Sequence, residues 1–220
     1  MPKVPAAKRH PYAQWSPDAR ALDLVGDKWT LLIVRDLAPG PRRFVELQRV
    51  LPGISTEQLR SRLGRMVADG LLTRQRYREV PPRVEYELTE AARDLLPVLA
   101  ALARWGYRWR WGQPDADEAI DVCAIFRLAT GLVSPLAQAG EVELTVTDHA
   151  ADAAAIYTIK FGGGPGGAVK VVERGSAEPV ATVAGTTAGW VRALSPDGDV
   201  SALRIDGDGA VAKLVLGQLS

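Results

Sequence analysis

Between Pro17 and Gly70 the apolar residues recur every three or four positions, and beyond Gly70 the spacing shortens to two. Ser16-Pro17-Asp18 has the chemistry of a helix start: a capping hydroxyl, a proline in the first turn and an acid near the positive end of the helix dipole. Ala21, Leu22, Leu24 and Val25 follow at helical spacing, and Gly26-Asp27 breaks the run. A second helix is predicted over Lys28–Leu37, burying Trp29, Leu32, Ile33 and Leu37, with Pro39-Gly40-Pro41 as its stop. A third, short helix carries Phe44, Leu47, Val50 and Leu51. Ser55 caps a fourth, with Gln58 as its capping-box partner, Leu59, Leu63, Met66 and Val67 as its apolar stripe, and Gly70 at its end. Leu72–Arg78 and Val84–Leu88 then alternate as two strands joined by residues 79–83. Thr89 opens a last helix with Leu95, Leu96, Val98, Leu99, Leu102 and Trp105 on its apolar side. Helices, then a hairpin, then a helix is the order of a winged helix-turn-helix.

Gly112-Gln113-Pro114-Asp115 reads as a boundary. After it the pattern predicts a helix over residues 117–139, broken near Ser134-Pro135, then strands near 141–148, 154–161, 168–173 and 180–184. A helix over 186–194, a short strand over 202–205 and a closing helix over 210–219 complete it. In the first of these strands Val142, Leu144 and Val146 alternate with Glu143, Thr145 and Thr147, as expected of a half-buried antiparallel strand. The fold class is therefore α+β: an arm (1–15), a winged helix-turn-helix domain (16–113), and a second α+β domain (114–220) with a small antiparallel sheet packed on helices.

Charge sharpens this division. The net charge of the 220 residues is only +1, but residues 1–113 hold 20 Lys/Arg against 12 Asp/Glu, and residues 114–220 hold 7 against 14. A basic first half suits a polyanionic partner, and opposite signs suit separate partners. No stretch reaches the ~18 apolar residues of a membrane span, and the N-terminus lacks a signal's apolar core, so no membrane partner and a cytoplasmic location are expected.

Where would nucleic acid be read? With Leu59, Leu63 and Met66 facing inward, a helical step of about 100° puts Thr56, Glu57, Gln58, Arg60, Ser61, Arg62 and Arg65 on or beside the outer face of the fourth helix. Short polar groups and arginines there suit base edges in a major groove. Arg42 and Arg43 before the third helix, and Arg74, Arg76, Arg78 and Arg83 around the hairpin, suit phosphates, which position a protein and make its affinity salt-dependent. Pro81-Pro82 would stiffen the hairpin tip and present Arg83.

The runs Ala21–Thr30 (ALDLVGDKWT), Arg35–Leu37, Gly40–Leu47 (GPRRFVEL), Leu51–Ser55 (LPGIS), Arg62-Leu63, Asp69–Leu71 and Pro81–Thr89 (PPRVEYELT) resemble the HxlR-type transcriptional regulators over residues 12–106. The resemblance implies a homodimeric winged helix-turn-helix that binds a double-stranded DNA operator, the dimer built from the first helix, the arm and the long helix after the wing. Many members carry a cysteine in a Cys-Pro pair before the first helix, and some sense oxidants with it. Here Ser16 precedes Pro17, and a hydroxyl forms no thiolate, so that route is closed.

Val183–Leu194 (VAGTTAGWVRAL), Ala202–Asp208 and the terminal helix resemble the end of a sterol-carrier-protein-like domain. That resemblance implies a hydrophobic small-molecule ligand between sheet and helices, with Phe126, Phe161 and Trp190 as lining residues. The expected function is a DNA-binding regulator whose operator affinity responds to such a ligand. Two alternatives stay open: a second domain that only dimerises or docks a partner, and a lipid-handling protein that uses its winged helix for protein contacts.

Other chemistry is thin. The glycine-rich run Gly162–Gly167 lacks the Lys-Ser/Thr of a phosphate loop and reads as a hairpin turn. Asp206-Gly207-Asp208 lacks the remaining ligands of a calcium loop. His10 and His149 show no partner set, and Cys123, the single cysteine, sits among apolar neighbours as a buried thiol. No catalytic residue, metal or cofactor is expected.

Overall fold

Ser16 adopts an extended conformation and its hydroxyl accepts the Ala19 N–H, which starts α1 (Pro17–Val25) with proline in the first turn. The computed structural model describes residues 11–78, 83–150, 153–164, 166–195 and 198–219. Most of the N-terminal arm, with His10, and the hairpin tip, with Pro81 and Pro82, lie outside them. Two compact units, residues 1–95 and 96–220, make up the chain.

In the first unit α2 (Thr30–Leu37) begins two residues later than the periodicity predicts. The cause is Asp27, whose carboxylate accepts the backbone N–H groups of Trp29 and Thr30 and the Thr30 hydroxyl, holding residues 27–29 as a capping turn. A two-residue strand β1 (Arg42–Arg43) precedes α3 (Phe44–Val50), and α4 (Thr56–Ala68) follows. Ser55 and Gln58 form the expected capping box, with backbone-to-side-chain bonds of 3.0 and 3.1 Å. Gly70, at φ +74°, ends α4, and the Leu71 N–H donates back to the Met66 carbonyl. Strands β2 (Leu72–Tyr77) and β3 (Arg83–Leu88) pair antiparallel, and β1 adds to the other side of β3, giving the order β1-β3-β2. Ile33, Val34, Leu37, Leu47, Leu51, Leu59, Leu63 and Met66 are all fully buried.

The helix expected after Thr89 is two helices. Thr89 caps α5 (Glu90–Arg93), and α6 runs over Leu96–Trp109. Pro97 has no N–H to donate to the Arg93 carbonyl, which leaves the α-helical ladder broken between α5 and α6, at Asp94 and Leu95.

Ala100 of α6 belongs to the core of the second unit. The expected helix over 117–139 is replaced by two short pieces, α7 (Cys123–Arg127) and α8 (Ala129–Leu132). Its first part is turn and irregular chain, where Asp115 and Glu118 hydrogen-bond each other. Gly131 lets α8 approach α6 closely: a Cβ there would meet the Leu96 carbonyl oxygen at 2.7 Å. The Arg104 guanidinium donates to the Gly131 carbonyl across the same contact.

Strands β4 (Gly140–Ala150), β5 (Ala153–Phe161) and β6 (Val169–Val172) form an antiparallel meander. The chain then crosses to the far side of β4 and enters β7 (Ala181–Gly185), followed by α9 (Thr187–Ala193), β8 (Arg204–Gly207) and α10 (Gly209–Leu219). The order is β6-β5-β4-β7-β8, and β4 runs parallel to β7. The sheet is therefore mixed where an all-antiparallel one is expected, because β7 is reached by crossover rather than by a hairpin. Val142, Leu144 and Val146 face the core, as their alternation predicts.

The opposite face of β4 is not left to solvent. The Ser176 N–H donates to Glu143 and its hydroxyl to Glu141, while Lys160 pairs with Glu141 at 2.5 Å. The Thr158 hydroxyl donates to the Arg174 carbonyl. Glu141, Glu143 and Thr158 thus fasten the crossover onto the sheet, and Lys160 pairs with Glu141 from the neighbouring strand.

Candidate nucleic-acid interface

The capping box fixes where α4 starts, and the burial of Leu59, Leu63 and Met66 fixes its rotation about its axis. Thr56, Glu57, Gln58 and Arg60 are thereby exposed along the first turns, and Ser61 and Arg65 are half-buried at the flank. The face is not uniformly free. Gln58 spends its carbonyl oxygen on the Ser55 N–H. Arg60 pairs with Glu57 at 3.1 Å, both well exposed, a contact that costs little to exchange for another partner. The Thr56 hydroxyl accepts from Gln48 of α3, tying the two helices at their exposed ends.

Eight further arginines proposed for DNA contact differ in their surroundings, and Arg74 is exposed on β2. Arg43, Arg76 and Arg78 are exposed, Arg76 on the edge strand β2 and Arg78 just past its end. Arg42 is buried, its Nε donating to the Asp36 carbonyl at 2.7 Å, so it braces the end of α2. Arg62 is turned back to Asp27 at 2.9 Å and is mostly covered. Arg83 pairs with Glu85 at 2.7 Å and lies over the Tyr77 ring. Arg65 remains at the flank of α4. Arg35 and Asp36, noted in the sequence only as part of a run of family resemblance, form a two-point pair at 2.9 and 3.0 Å with Asp36 fully buried.

In the second unit Phe126 and Trp190 pack edge-on at 4.7 Å, both fully buried, and the Trp190 indole donates to the Thr145 carbonyl. Phe161 lies at the far end of β5, beside Gly140. The three aromatics proposed as one lining thus divide into a packed pair and a separate ring. Two features were missed. Arg127 is buried, donating to the Tyr157 hydroxyl and pairing with Asp121 at 2.7 Å. Cys123 Sγ lies 3.7 Å from His149 Nδ1, which gives that histidine a neighbour 26 residues away that spacing could not reveal.

No helix among the described residues is long and apolar enough to cross a membrane. The profile described as HxlR-like helix-turn-helix matches residues 24–113. An uncharacterised HTH-type transcriptional regulator from Halalkalibacterium halodurans is 44% identical over 96 residues, 43% of this chain and 85% of that protein. One from Synechocystis sp. is 42% identical over 93 residues, 42% of this chain and 69% of that protein. Among solved structures, the redox regulator HypR in its oxidised form is 36% identical over 44% of this chain and 100% of that chain, with a TM-score of 0.42. The chain belongs to the HxlR-like helix-turn-helix family.

Proposed function

We propose that this protein is a cytoplasmic, DNA-binding transcriptional regulator that reads an operator as a homodimer, with α4 in the major groove. The observation that supports this reading best is the α4 N-terminal face, where Thr56, Glu57, Gln58 and Arg60 are exposed on a helix whose rotation is fixed by three buried apolar side chains. Arg60, Ser61 and Arg65 are the base-reading candidates, Arg60 by two-point pairing with guanine. Arg43, Arg76 and Arg78 take phosphates, while Arg42, Arg62 and Arg83 act through the folds they brace.

A second copy is the partner that the exposed apolar residues suit. Val98, Leu102, Trp105 and Trp109 recur on one stripe of α6 and are 47–61% exposed; Tyr12, Trp15 and Leu22 are exposed on the arm and α1. Such surfaces on a single chain mark interfaces.

Selection of bound duplexes from a random pool by the full-length protein tests the reading. An enriched site with two related halves, about one turn of B-DNA or a multiple apart, and an affinity that falls steeply with salt are expected. Failure to enrich any sequence would overturn it.

Residues 114–220, in the same reading, are a sterol-carrier-like domain that takes a hydrophobic molecule and shifts operator affinity. The succession β7, α9, β8, α10 over the segment carrying that resemblance supports it. Because Phe126 and Trp190 are packed on each other, a ligand there would have to part them, and the two states would differ in that packing. Native mass spectrometry of the purified protein, searching for a copurifying apolar molecule, tests this part alone. An empty protein favours a second unit that only dimerises or docks a partner.

A further inference from the structure

Three potential metal ligands meet at one edge of the second unit. Asp121 and Cys123 straddle the start of α7, and His149 stands near the end of β4. Their donor atoms all lie within 4.8 Å of one another, from residues that are half-buried, buried and exposed respectively. The Arg127–Asp121 pair uses only Oδ2 of the carboxylate. Oδ1 is buried and has no hydrogen-bond partner among the described residues. An unsatisfied buried carboxylate oxygen costs free energy unless something binds it, and the Asp121 carboxylate stands with a thiol and an imidazole.

We propose that Asp121 Oδ1, Cys123 Sγ and His149 Nδ1 form a binding site for a thiophilic divalent cation of the zinc class. A tetrahedral zinc ion with bonds of about 2.3 Å to sulfur and about 2.0 Å to nitrogen separates those two atoms by roughly 3.5 Å. The observed 3.7 Å requires a shift of only a few tenths, while the donor set as a whole, spread over 4.8 Å, must contract by about an ångström on binding. One sulfur, one nitrogen and one oxygen donor disfavour magnesium and calcium, which take oxygen ligands, and suit zinc. Three protein ligands leave a fourth position for water or a small anion. Arg127, itself held against the Tyr157 hydroxyl, orients the carboxylate from behind as an outer-shell partner. On binding, the Cys123 thiol gives its proton to solvent and sulfur coordinates as thiolate. The ion would join the segment before α7 to the end of β4, two stretches that no regular pairing connects.

The test uses the full-length, reduced, chelator-stripped protein, titrated with Zn²⁺ in competition with a chromophoric chelator and separately with Co²⁺. One equivalent per chain is expected, with a sulfur-to-cobalt charge-transfer band in the near ultraviolet. Cys123→Ser should remove that band, and His149→Gln and Asp121→Asn should weaken zinc binding by at least roughly tenfold. His149 is exposed, so its variant tests the site even if Cys123→Ser folds poorly. Absence of the cobalt band, zinc affinity unchanged in His149→Gln, or binding that is instead lost in His10→Gln overturns the assignment. None of these readouts depends on DNA.

Discussion

Arg62 Nη1 lies 2.9 Å from Asp27 Oδ2, so the middle of α4 is ionically tied to the turn that starts α2. Asp27 caps that turn and accepts the arginine at once, which makes it a positioning residue for the helix proposed to enter DNA. Asp27→Ala should therefore cost about 1–2 kcal/mol of stability, a cap and a mostly covered ion pair together. Urea unfolding followed by circular dichroism checks this. A loss below a few tenths would mean that α2 starts as well without its cap.

Arg62 and Arg60 should separate in DNA binding. Arg60→Ala is expected to weaken operator affinity by about 1–3 kcal/mol and relax preference at one base pair. Arg62→Gln should lower stability and leave the base preference unchanged. Anisotropy titrations against the selected site and single-base variants of it decide. Equal relaxation in both variants would mean that Arg62 leaves Asp27 in the complex.

The exposed arginines of the wing carry a salt signature. Arg76→Ala combined with Arg78→Ala should reduce the slope of log K against log salt by up to about two, roughly 0.9 for each phosphate released. Non-specific and specific duplexes should weaken alike, since phosphates carry no sequence. An unchanged slope would place both arginines off the DNA.

How much of this was legible in the sequence follows from the range of each interaction. Ser16, Ser55 and Gly70 act on neighbours three to five residues away, so the bounds of α1 and α4 could be read directly. The strands of the second half were legible for the same reason, through alternation at Val142, Leu144 and Val146. The late start of α2 and the break at Pro97 had local signals, Asp27 and the proline itself, that were outweighed by the apolar periodicity around them. The helix expected over 117–139 failed differently. Its apolar residues are buried by tertiary contact, Phe126 against Tyr157 and Trp190, without helical geometry through the segment. Exposure was what charge alone concealed at the interface: Arg42 and Arg62 look like Arg43 and Arg76 in sequence, and only their partners Asp36 and Asp27 set them apart. The meeting of Asp121, Cys123 and His149 depends on where β4 ends relative to α7, which no local pattern encodes.

The stripe on α6 predicts an assembly defect with the fold intact. Leu102 and Trp105 are 50% and 58% exposed, so replacing both with Glu removes no core packing within the chain. If the stripe joins two copies, the double variant should sediment as a monomer at micromolar concentration and lose operator affinity at least roughly tenfold through lost bivalency. A dimer of unchanged mass would assign the stripe another partner.

Acid should loosen the crossover of the second unit before the rest. The Lys160 ammonium, and then the Ser176 hydroxyl, hold the Glu141 carboxyl below the usual glutamate range. A carboxyl whose folded value lies below its unfolded value of about 4.3 contributes stability that is fully present above that value. The contribution is lost as pH falls through the lowered folded value, because protonation removes the charge that Lys160 pairs with and turns one of the two accepting oxygens into a donor. Glu141→Gln should thus reduce stability at pH 7 by no more than about 1 kcal/mol, given a partly exposed pair. It should also flatten the decline of stability between about pH 5 and 3 relative to the parent. Hydrogen exchange of the segment around Ser176, measured at both ends of that window, reads the effect where it arises. Parallel declines in parent and variant would show that the crossover is held by the Thr158 and Glu143 contacts alone.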